Sequence, residues 1–371
     1  MKKIISVSGL VLCFCSLVFS QGQLTITPNG GNKKASVKEQ IGLTNVTIDY
    51  SRPGVKGREG KIWGTSVAPY GFTNLGFGSS KAAPWRAGAN ENTTISFSTD
   101  VQVEGKNLPA GTYALFVALD ALQSIVIFSK NSTSWGSFYY DPSEDALRVT
   151  VQNQTNDKSV ERLKYEFTDQ TDNAATVNLM WERRIIPFKV SVDLVGTQLV
   201  SFKKELRNTP GFTWEGLQYA ANYSLQNNVE LEQGMKWADE SISGVFIGQK
   251  NFLTLSTKAG LLQKAGKHSE ADALMKEALP MATMQQLHQY GRDLLSQKKS
   301  AEALSVFKMN YDKNPNEFTT QMGMVRGLSG TGNYKAALEM AKKALLHTPD
   351  GINKGNLETM IQKLEAGKDV N

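Results

Sequence analysis

The spacing of hydrophobic residues changes once along the chain. From Gln21 to about Val195, apolar and polar residues alternate in short segments that Gly, Pro, Asn and Asp interrupt, a pattern typical of β-strands. From about Gly196 onward, the apolar residues recur every three or four positions, which is the spacing of amphipathic helices. The pattern predicts an N-terminal all-β antiparallel sandwich followed by a C-terminal all-α region.

The β half contains about ten candidate strands, and no helical interval separates them. They are predicted at Ser36–Ile41, Asn45–Tyr50, Thr94–Ser98, Val101–Val103, Gly111–Ala118, Ser124–Phe128, Leu147–Gln152, Arg162–Phe167, Thr176–Glu182 and Lys189–Leu194. Short strands at this spacing favour an antiparallel sandwich or a barrel-like sandwich.

The helical half repeats one helix-pair pattern. It occurs at Gly266–Ala271, Lys298–Ala303 and Gly332–Ala337, so that the matching alanines are separated by 32 and 34 residues, and a weaker copy begins at Gly234. The pattern resembles the tetratricopeptide repeat, in which small residues let two antiparallel helices approach closely. One copy departs from it, because Lys298 stands where the others have a turn glycine.

The two periods and the flanking segments predict the domain organisation. We expect a signal peptide at 1–20, a β-sandwich domain at 21–195, a helical connector at 196–213 and tetratricopeptide-like repeats at 214–371, closed by a capping helix at Asn356–Lys368. The connector lacks the Gly, Ser or Pro richness of a flexible linker.

The first twenty residues have the parts of a secretory signal. Lys2 and Lys3 precede the apolar run Ile4–Phe19, and the small residues Val18 and Ser20 predict cleavage just after Ser20. The apolar run is short for a membrane-spanning helix. We therefore expect an exported protein, periplasmic or at the cell surface or outside the cell, with no transmembrane segment in the mature chain.

The net charge and the positions of the cysteines exclude some classes of function. Both cysteines, Cys13 and Cys15, fall in the signal, so the mature chain has no disulfide and no Cys metal site. The formal charge of +6 is spread along the chain without a basic run, which argues against nucleic acid as a partner.

The three histidines, His268, His288 and His347, all lie in the helical half. The β domain therefore cannot form a Ser-His-Asp triad or a His zinc site. We predict no cofactor and no metal, and an enzymatic role is the less favoured of the two possibilities.

Several motifs of the β half follow one another as in a known family. They are Tyr50-Ser-Arg-Pro53, Lys56-Gly-Arg58, Ile62-Trp-Gly64, Trp85-Arg-Ala-Gly-Ala-Asn-Glu91, Leu108-Pro-Ala-Gly-Thr-Tyr-Ala-Leu-Phe116 and Trp135-Gly136. Over about Leu24–Pro187 the chain resembles the exported β-domain family called domain of unknown function 2911. The resemblance implies an all-β exported domain without an established activity, in some members followed by helical repeats.

The motifs also supply a candidate ligand site. Its residues are Arg52, Arg58, Trp85, Arg86, Asn90, Glu91 and Trp135. Arginine forks bind carboxylates or phosphates and tryptophan rings offer a platform, which suits a sugar, a peptide terminus or another anionic cell-envelope fragment. Two alternatives remain open. The arginines brace the loops through backbone hydrogen bonds, or Glu91 acts with Asp141 or Glu104 as an acid–base pair in glycoside hydrolysis.

The helical repeats supply a second candidate site. Aligning the copies places five side chains on the face that repeat arrays use for peptides, namely Gln285, His288, Arg292, Met322 and Arg326. Arg292 and Arg326 are candidates for a carboxylate-binding pair, or else ordinary solvated arginines.

Together these features favour an exported, non-enzymatic binding or scaffold protein, whose repeats recognise a protein or peptide and whose β domain binds an envelope ligand. The alternative is a carbohydrate-binding or carbohydrate-active protein centred on Trp85, Arg86 and Glu91.

Overall fold

The computed structural model describes residues 31–371. The predicted signal peptide lies outside these residues. The chain divides into two compact units, with the boundary between Leu194 and Val195.

The first unit is built from ten β-strands within the described residues. They are β1 (Lys33–Ile41), β2 (Thr44–Arg52), β3 (Thr94–Phe97), β4 (Val101–Val103), β5 (Lys106–Leu108), β6 (Gly111–Ala118), β7 (Gln123–Ser129), β8 (Asp145–Gln152), β9 (Gln154–Thr171) and β10 (Ala174–Ser191). All neighbouring strands are antiparallel.

The strands form two sheets. One has six strands in the order β1-β2-β3-β6-β7-β8, and the other has four in the order β5-β4-β10-β9. Alternate side chains from both sheets, such as Ile48, Leu115, Val177 and Phe188, join one buried hydrophobic cluster. The predicted antiparallel sandwich is therefore confirmed, because period-two patterning puts every second residue of each sheet into a shared core.

The strands of the β unit differ from the prediction in two ways. The three-residue strand β5 was not predicted. The two predicted strands Thr176–Glu182 and Lys189–Leu194 are one strand, β10, which pairs with β9 up to Ile185 and with β4 from Val190. Pro187, which lacks an N–H donor, lies between those two paired segments, where the missing hydrogen bond costs little.

The second unit is helical. Its α-helices are α1 (Leu194–Glu205), α2 (Trp214–Asn227), α3 (Leu231–Ser243), α4 (Phe252–Lys264), α5 (His268–Ala278), α6 (Met284–Ser296), α7 (Ser300–Lys313), α8 (Phe318–Gly330), α9 (Tyr334–Leu345) and α10 (Gly351–Glu365). Each even-numbered helix from α2 to α8 packs against the odd-numbered helix that follows it. The four pairs form the predicted tetratricopeptide-like array, with α1 packed near its first pair and α10 against α9.

Small residues allow this close packing. The ring of Phe307 on α7 is fully buried, and a Cβ atom added at Gly291, Gly323 or Gly327 would come within 3 Å of its ring atoms. Because real Cβ contacts are longer than this, the three glycines of α6 and α8 form a socket that a larger residue would fill. The socket fixes α7 between its two neighbours.

Candidate functional site

The backbone of the Trp85–Thr94 loop is held from several sides. Trp85 exchanges two backbone hydrogen bonds with Val117 of β6, at 3.0 and 2.8 Å. Ala87, which is buried, has a positive φ of 49°, and its carbonyl accepts hydrogen bonds from the hydroxyls of Tyr165 and Thr93, at 2.8 and 3.1 Å. A non-glycine residue keeps such a backbone conformation only when its surroundings fix it, so this loop is rigid.

Arg86 and Asn90 brace the loop internally. A guanidinium nitrogen of Arg86 donates to the backbone carbonyl of Asn90 at 2.7 Å, and the same guanidinium lies 4.7 Å from the centre of the Phe138 ring. Asn90, at a φ of 62°, accepts a hydrogen bond from Asn32 at 3.1 Å. Burial lowers the pKa of Arg86, and its hydrogen bond compensates for the lost hydration.

Arg52 and Arg58 are also directed at the main chain. Arg52 Nε donates to the carbonyl of Leu163 at 2.9 Å. Arg58 donates from Nε to Val55 at 3.0 Å and from a terminal nitrogen to Gly54 at 2.7 Å. All three arginines of the predicted site thus use part of their donor fork on backbone carbonyls.

Trp85 belongs to a buried aromatic cluster that the sequence did not reveal. Its ring is 6 % exposed, is stacked on Trp181 of β10 at 6.1 Å, and meets Trp63 edge-on at 5.6 Å. Trp63 Nε1 donates to Glu182 at 3.2 Å, and the guanidinium of Arg184 lies 4.8 Å from the Trp63 ring centre. Trp85 therefore contributes to the core of the sandwich.

The remaining predicted residues point elsewhere. Glu91 forms an ion pair with Lys34 of β1 at 2.5 Å. Burial raises the pKa of Glu91, but the hydrogen bonds it accepts and the charge of Lys34 together lower it. Trp135 is 61 % exposed. Asp141 caps the short 3-10 helix Pro142–Glu144 by accepting from the Ser143 N–H at 2.8 Å, and Glu104 accepts from the Lys189 N–H at 2.6 Å. Each candidate carboxylate thus has a structural partner, and this arrangement favours the bracing interpretation over the acid–base one.

Two cavities lie beside the braced loop. One, of roughly 580 Å³, is lined by polar side chains, among them Lys34, Asp49, Glu91, Asn92 and Ser134. The other, of roughly 520 Å³, is lined by Asn32, Pro53, Lys56, Arg58, Val67, Trp85, Gly88, Ala89 and Trp181. Arg58 and Trp85 line the second cavity and Glu91 lines the first, so the structure distributes these predicted residues between two concave surfaces.

In the helical unit, three of the five predicted residues come together. His288 and Arg292 lie on α6 and Arg326 lies on α8. Burial lowers the pKa of His288, and the charges of Arg292 and Arg326 lower it further against an opposing backbone hydrogen bond of Thr319. Burial and the charge of Arg292 also lower the pKa of Arg326. We call these three side chains the cationic cluster.

The other two predicted residues differ in exposure. Gln285 is exposed on α6. Met322 is only 9 % exposed and packs with Val325, Ala337 and Leu357 in a hydrophobic cluster. It therefore belongs to the core between helices, and this corrects its assignment to the groove. Met322 and His288 occupy equivalent repeat positions, but α10 supplies part of the cluster around Met322.

Residues 369–371 fold back onto α8 beside the cationic cluster. Asp369 accepts a hydrogen bond from Ser329 at 2.7 Å, and Asn371 donates to the backbone carbonyl of Arg326 at 3.0 Å. Val370, between them, is buried at 6 % exposure. The charge of Asp369 opposes the lowering of the Arg326 pKa, so a carboxylate of the chain itself lies within electrostatic reach of the cluster.

The β unit matches a family model. Residues 32–190 match the family described as a protein of unknown function, DUF2911. This confirms the resemblance that the motifs predicted, and we refer to the β unit as the DUF2911 domain. No curated protein matches the chain.

Solved structures resemble the helical unit at low sequence identity. A tetratricopeptide repeat protein from Parabacteroides merdae ATCC 43184 is 16 % identical, with a TM-score of 0.31, over 47 % of this chain and 71 % of that chain. YrrB, described as a tetratricopeptide repeat protein with an unusual peptide-binding site, is 17 % identical, with a TM-score of 0.29, over 44 % of this chain and 84 % of its own. MamA AMB-1 is 14 % identical, with a TM-score of 0.28, over 41 % and 81 %. The repeat architecture of this chain rests on its own helix pairs α2–α3, α4–α5, α6–α7 and α8–α9.

No helix among residues 31–371 is long and apolar enough to cross a membrane. In the same part of the chain, no three His, Cys, Asp or Glu side chains are grouped so that they could hold a metal ion.

The residues that sequence reasoning missed in the DUF2911 domain come mainly from distant strands. Trp181 follows Trp85 by almost a hundred residues and reaches it only because β10 lies in the facing sheet. Lys34, the partner of Glu91, lies on the edge strand β1. Neither carries a local motif, so a single sequence offered no signal for them.

Proposed function

We propose that this chain is an exported, non-enzymatic scaffold protein whose helical repeats bind an acidic segment of a protein partner. The observation that carries the proposal is the cationic cluster. The three side chains come from two helices that begin successive pairs, and the charge of Arg292 acts on both Arg326 and His288. Like charges placed together in a partly buried site are stabilised by an anion, and arginine forks suit a carboxylate.

The chain's own Asp369 supports the choice of a carboxylate as the ligand group. Asp369 interacts electrostatically with Arg326 while its Oδ1 accepts from Ser329 and Asn371. Arg292 has no salt bridge within 4 Å to an acidic residue of the described chain. A partner carboxylate would supply this missing counter-charge.

A peptide titration tests the proposal. Fluorescence anisotropy would compare a labelled peptide of alternating Ala and Glu with the matching Ala and Gln peptide, for the wild type and for Arg292→Gln/Arg326→Gln. We expect the acidic peptide to bind the wild type and the double variant to bind it at least about tenfold more weakly, since each lost charge-assisted hydrogen bond is worth about 1.5 kcal/mol or more.

The matched control removes two cations from another face of the array. Lys335→Gln/Lys342→Gln changes two exposed lysines of α9 and should leave the affinity within about twofold. Equal weakening in both double variants would show that the peptide responds only to net charge. Equal binding of the two peptides to the wild type would refute carboxylate recognition.

Export is the second part of the proposal, supported by the charged, apolar and small-residue segments of Met1–Ser20. Mass spectrometry of protein recovered from cell fractions should find a mature N-terminus at Gln21, outside the cytoplasm. An intact Met1 in the cytoplasmic fraction would contradict it.

The third part of the proposal is that the DUF2911 domain binds a cell-envelope ligand. The geometry disfavours the alternative carbohydrate site centred on Trp85, Arg86 and Glu91. Trp85 is buried in the core, Arg86 donates to Asn90 and Glu91 is paired with Lys34. A ligand of the domain would therefore have to bind through groups other than the Arg86 and Glu91 side chains.

A further inference from the structure

The cavity that Trp85 and Trp181 line has an unusual set of polar groups. Its side chains include two cations, Lys56 and Arg58, but no carboxylate. Neither cation forms a salt bridge within 4 Å to an acidic residue of the described chain. The nearby Glu161 accepts from the backbone N–H of Lys56 at 3.2 Å, which partly offsets the positive charge. The side chains of the lining therefore carry a net positive charge.

The two cations are held in place without using all of their donors. Arg58 uses Nε and one terminal nitrogen for the carbonyls of Val55 and Gly54, which leaves the second terminal nitrogen available. Lys56 is exposed and has a positive φ of 52°, a conformation that costs a non-glycine residue free energy. The fixed Arg58 and the strained Lys56 backbone place both charges at the same cavity.

The buried side of the cavity holds a donor without an acceptor. Trp181 is 1 % exposed, and its Nε1 finds no hydrogen-bond partner among the described residues. An indole nitrogen can only donate, and a buried donor left unpaired costs about 1–3 kcal/mol. The ring that carries this donor lines the cavity, whereas Nε1 itself is buried, so the resonance of this N–H is a local probe of ligand binding at the ring.

The loop that forms one wall brings backbone donors as well. Gly88 and Ala89 follow Ala87, whose strained backbone is fixed by two hydroxyl groups. Within the described residues, the amides of Gly88 and Ala89 donate to no other group. Successive free backbone N–H groups are a common means of binding anions.

We propose that this cavity is an oxyanion site of the DUF2911 domain, in which a phosphate or carboxylate group of a small ligand lies beside the Trp181 ring, pairs with Lys56 and Arg58 and accepts from the backbone N–H groups of Gly88 and Ala89. The proposal rests on the ligand-binding part of the proposed function and gives it a location and a chemical class. Six of the nine lining residues, Pro53, Lys56, Arg58, Trp85, Gly88 and Ala89, come from the sequence motifs that identify the domain.

The indole resonance of Trp181 gives a direct test. Full-length mature protein labelled with ¹⁵N-tryptophan would be titrated with inorganic phosphate, acetate, glucose 1-phosphate, glucuronate and glucose, after assignment by triple-resonance spectra. We expect the anionic probes to shift the Trp181 Nε1–H resonance in a saturable manner, and glucose to leave it unchanged. Phosphate and glucose 1-phosphate acting at lower concentration would identify a phosphate ligand, and acetate and glucuronate a carboxylate ligand.

A pair of variants locates the charge. Lys56→Gln should weaken binding of the effective probe at least tenfold, while Lys81→Gln, an exposed lysine of the same domain outside the cavity lining, should change it less than twofold. Circular dichroism would show that both variants are folded. Equal effects of the two substitutions, or a wild-type Trp181 resonance that no probe moves at millimolar concentration, would overturn the oxyanion site.

Calorimetry with the same probes separates this site from ligand binding by the domain in general. A probe that binds with measurable heat but leaves the Trp181 resonance in place would show that the domain binds a ligand elsewhere. That result would refute the oxyanion site in this cavity but would leave the proposed ligand binding by the domain intact. The proposed binding of an acidic peptide by the helical repeats depends on neither measurement.

Discussion

Arginine side chains are used differently in the two units. In the DUF2911 domain, the guanidinium groups of Arg52, Arg58 and Arg86 donate to backbone carbonyls. In the helical unit, Arg292 and Arg326 act on one another as like charges, and the partial counter-charge comes from Asp369. A guanidinium that donates to carbonyls supports the backbone, although Arg58 keeps one terminal nitrogen available. A guanidinium that is close to another cation keeps most of its donors for a ligand.

This difference predicts that the arginines of the DUF2911 domain contribute to stability and those of the helical unit to partner binding. Removing a bracing arginine leaves buried carbonyls without donors, which lowers the free energy of unfolding. Removing an arginine from the cationic cluster relieves repulsion and takes away a contact for the partner. Substituting a bracing arginine should therefore lower the free energy of unfolding, whereas substituting an arginine of the cationic cluster should leave it unchanged or raise it.

The largest expected effect is the loss of bracing in Arg86→Met. This change keeps most of the side-chain volume but removes the donor to Asn90 and the contact with Phe138. We expect the free energy of unfolding of the DUF2911 domain to fall by about 2–3 kcal/mol, the value for a charged hydrogen bond in a partly buried place. Urea denaturation followed by near-UV circular dichroism would measure it.

Arg326→Met is the matched control for this comparison, since the same atoms are replaced in a half-buried position of the other unit. Its free energy of unfolding should change by less than about 0.5 kcal/mol or increase, as when a poorly compensated charge is replaced by an apolar chain. A destabilisation equal to that of Arg86→Met would mean that the cluster is structural.

The sequence was sufficient to predict features that depend on local period. The change from alternating to helical spacing gave the order of the two units, and aligning copies at a spacing of 34 residues brought Arg292 and Arg326 to equivalent positions. These features are predictable because a repeat places the same residue at the same place in each helix pair.

Features that depend on distant partners were not predictable. The acceptors of the arginines are backbone carbonyls, which every residue carries, so no residue type marks them. Trp181 and Lys34 reach the loop through strand order alone. Met322 was misplaced because the repeat alignment contains no information on the segment that follows the last pair, where α10 adds to its hydrophobic cluster.

His288 offers a test of the cationic cluster through pH. Its pKa is lowered by burial, by Arg292 on its own helix and by Arg326 on α8, so the unfolded chain binds a proton more readily than the folded one. The stabilisation is complete above the unfolded value of about 6.5 and is lost as the pH falls, by at most about 1.4 kcal/mol per pH unit for one group.

We therefore expect the free energy of unfolding of the wild type to fall more between pH 7 and 5 than that of His288→Gln. Denaturation curves across this range would show the difference. The control is His268→Gln, since His268 is exposed and contacts Gln263. Parallel pH profiles for the wild type and His288→Gln would contradict the electrostatic contact with Arg292 and Arg326.

The smallest expected effect concerns backbone strain, which a lysine carries in each unit. Lys298, in the turn after α6, has a φ of 62°, while the corresponding turn residues Gly266 and Gly332 are glycines at 76° and 79°. The turn is otherwise the same, since the N–H after each one bonds back to the helix at 2.9 Å. Lys298→Gly should therefore raise the free energy of unfolding by about 0.5–1 kcal/mol, because glycine adopts this conformation without strain.

Lys56 is the counterpart in the DUF2911 domain, with a φ of 52° at the proposed oxyanion site. Lys56→Gly should stabilise that domain by a similar amount and should also weaken the binding of the anionic probe. Lys298→Gly should leave the binding of the acidic peptide unchanged. If Lys56→Gly were more stable but bound the anionic probe as tightly as the wild type, Lys56 would not contribute to the proposed oxyanion site.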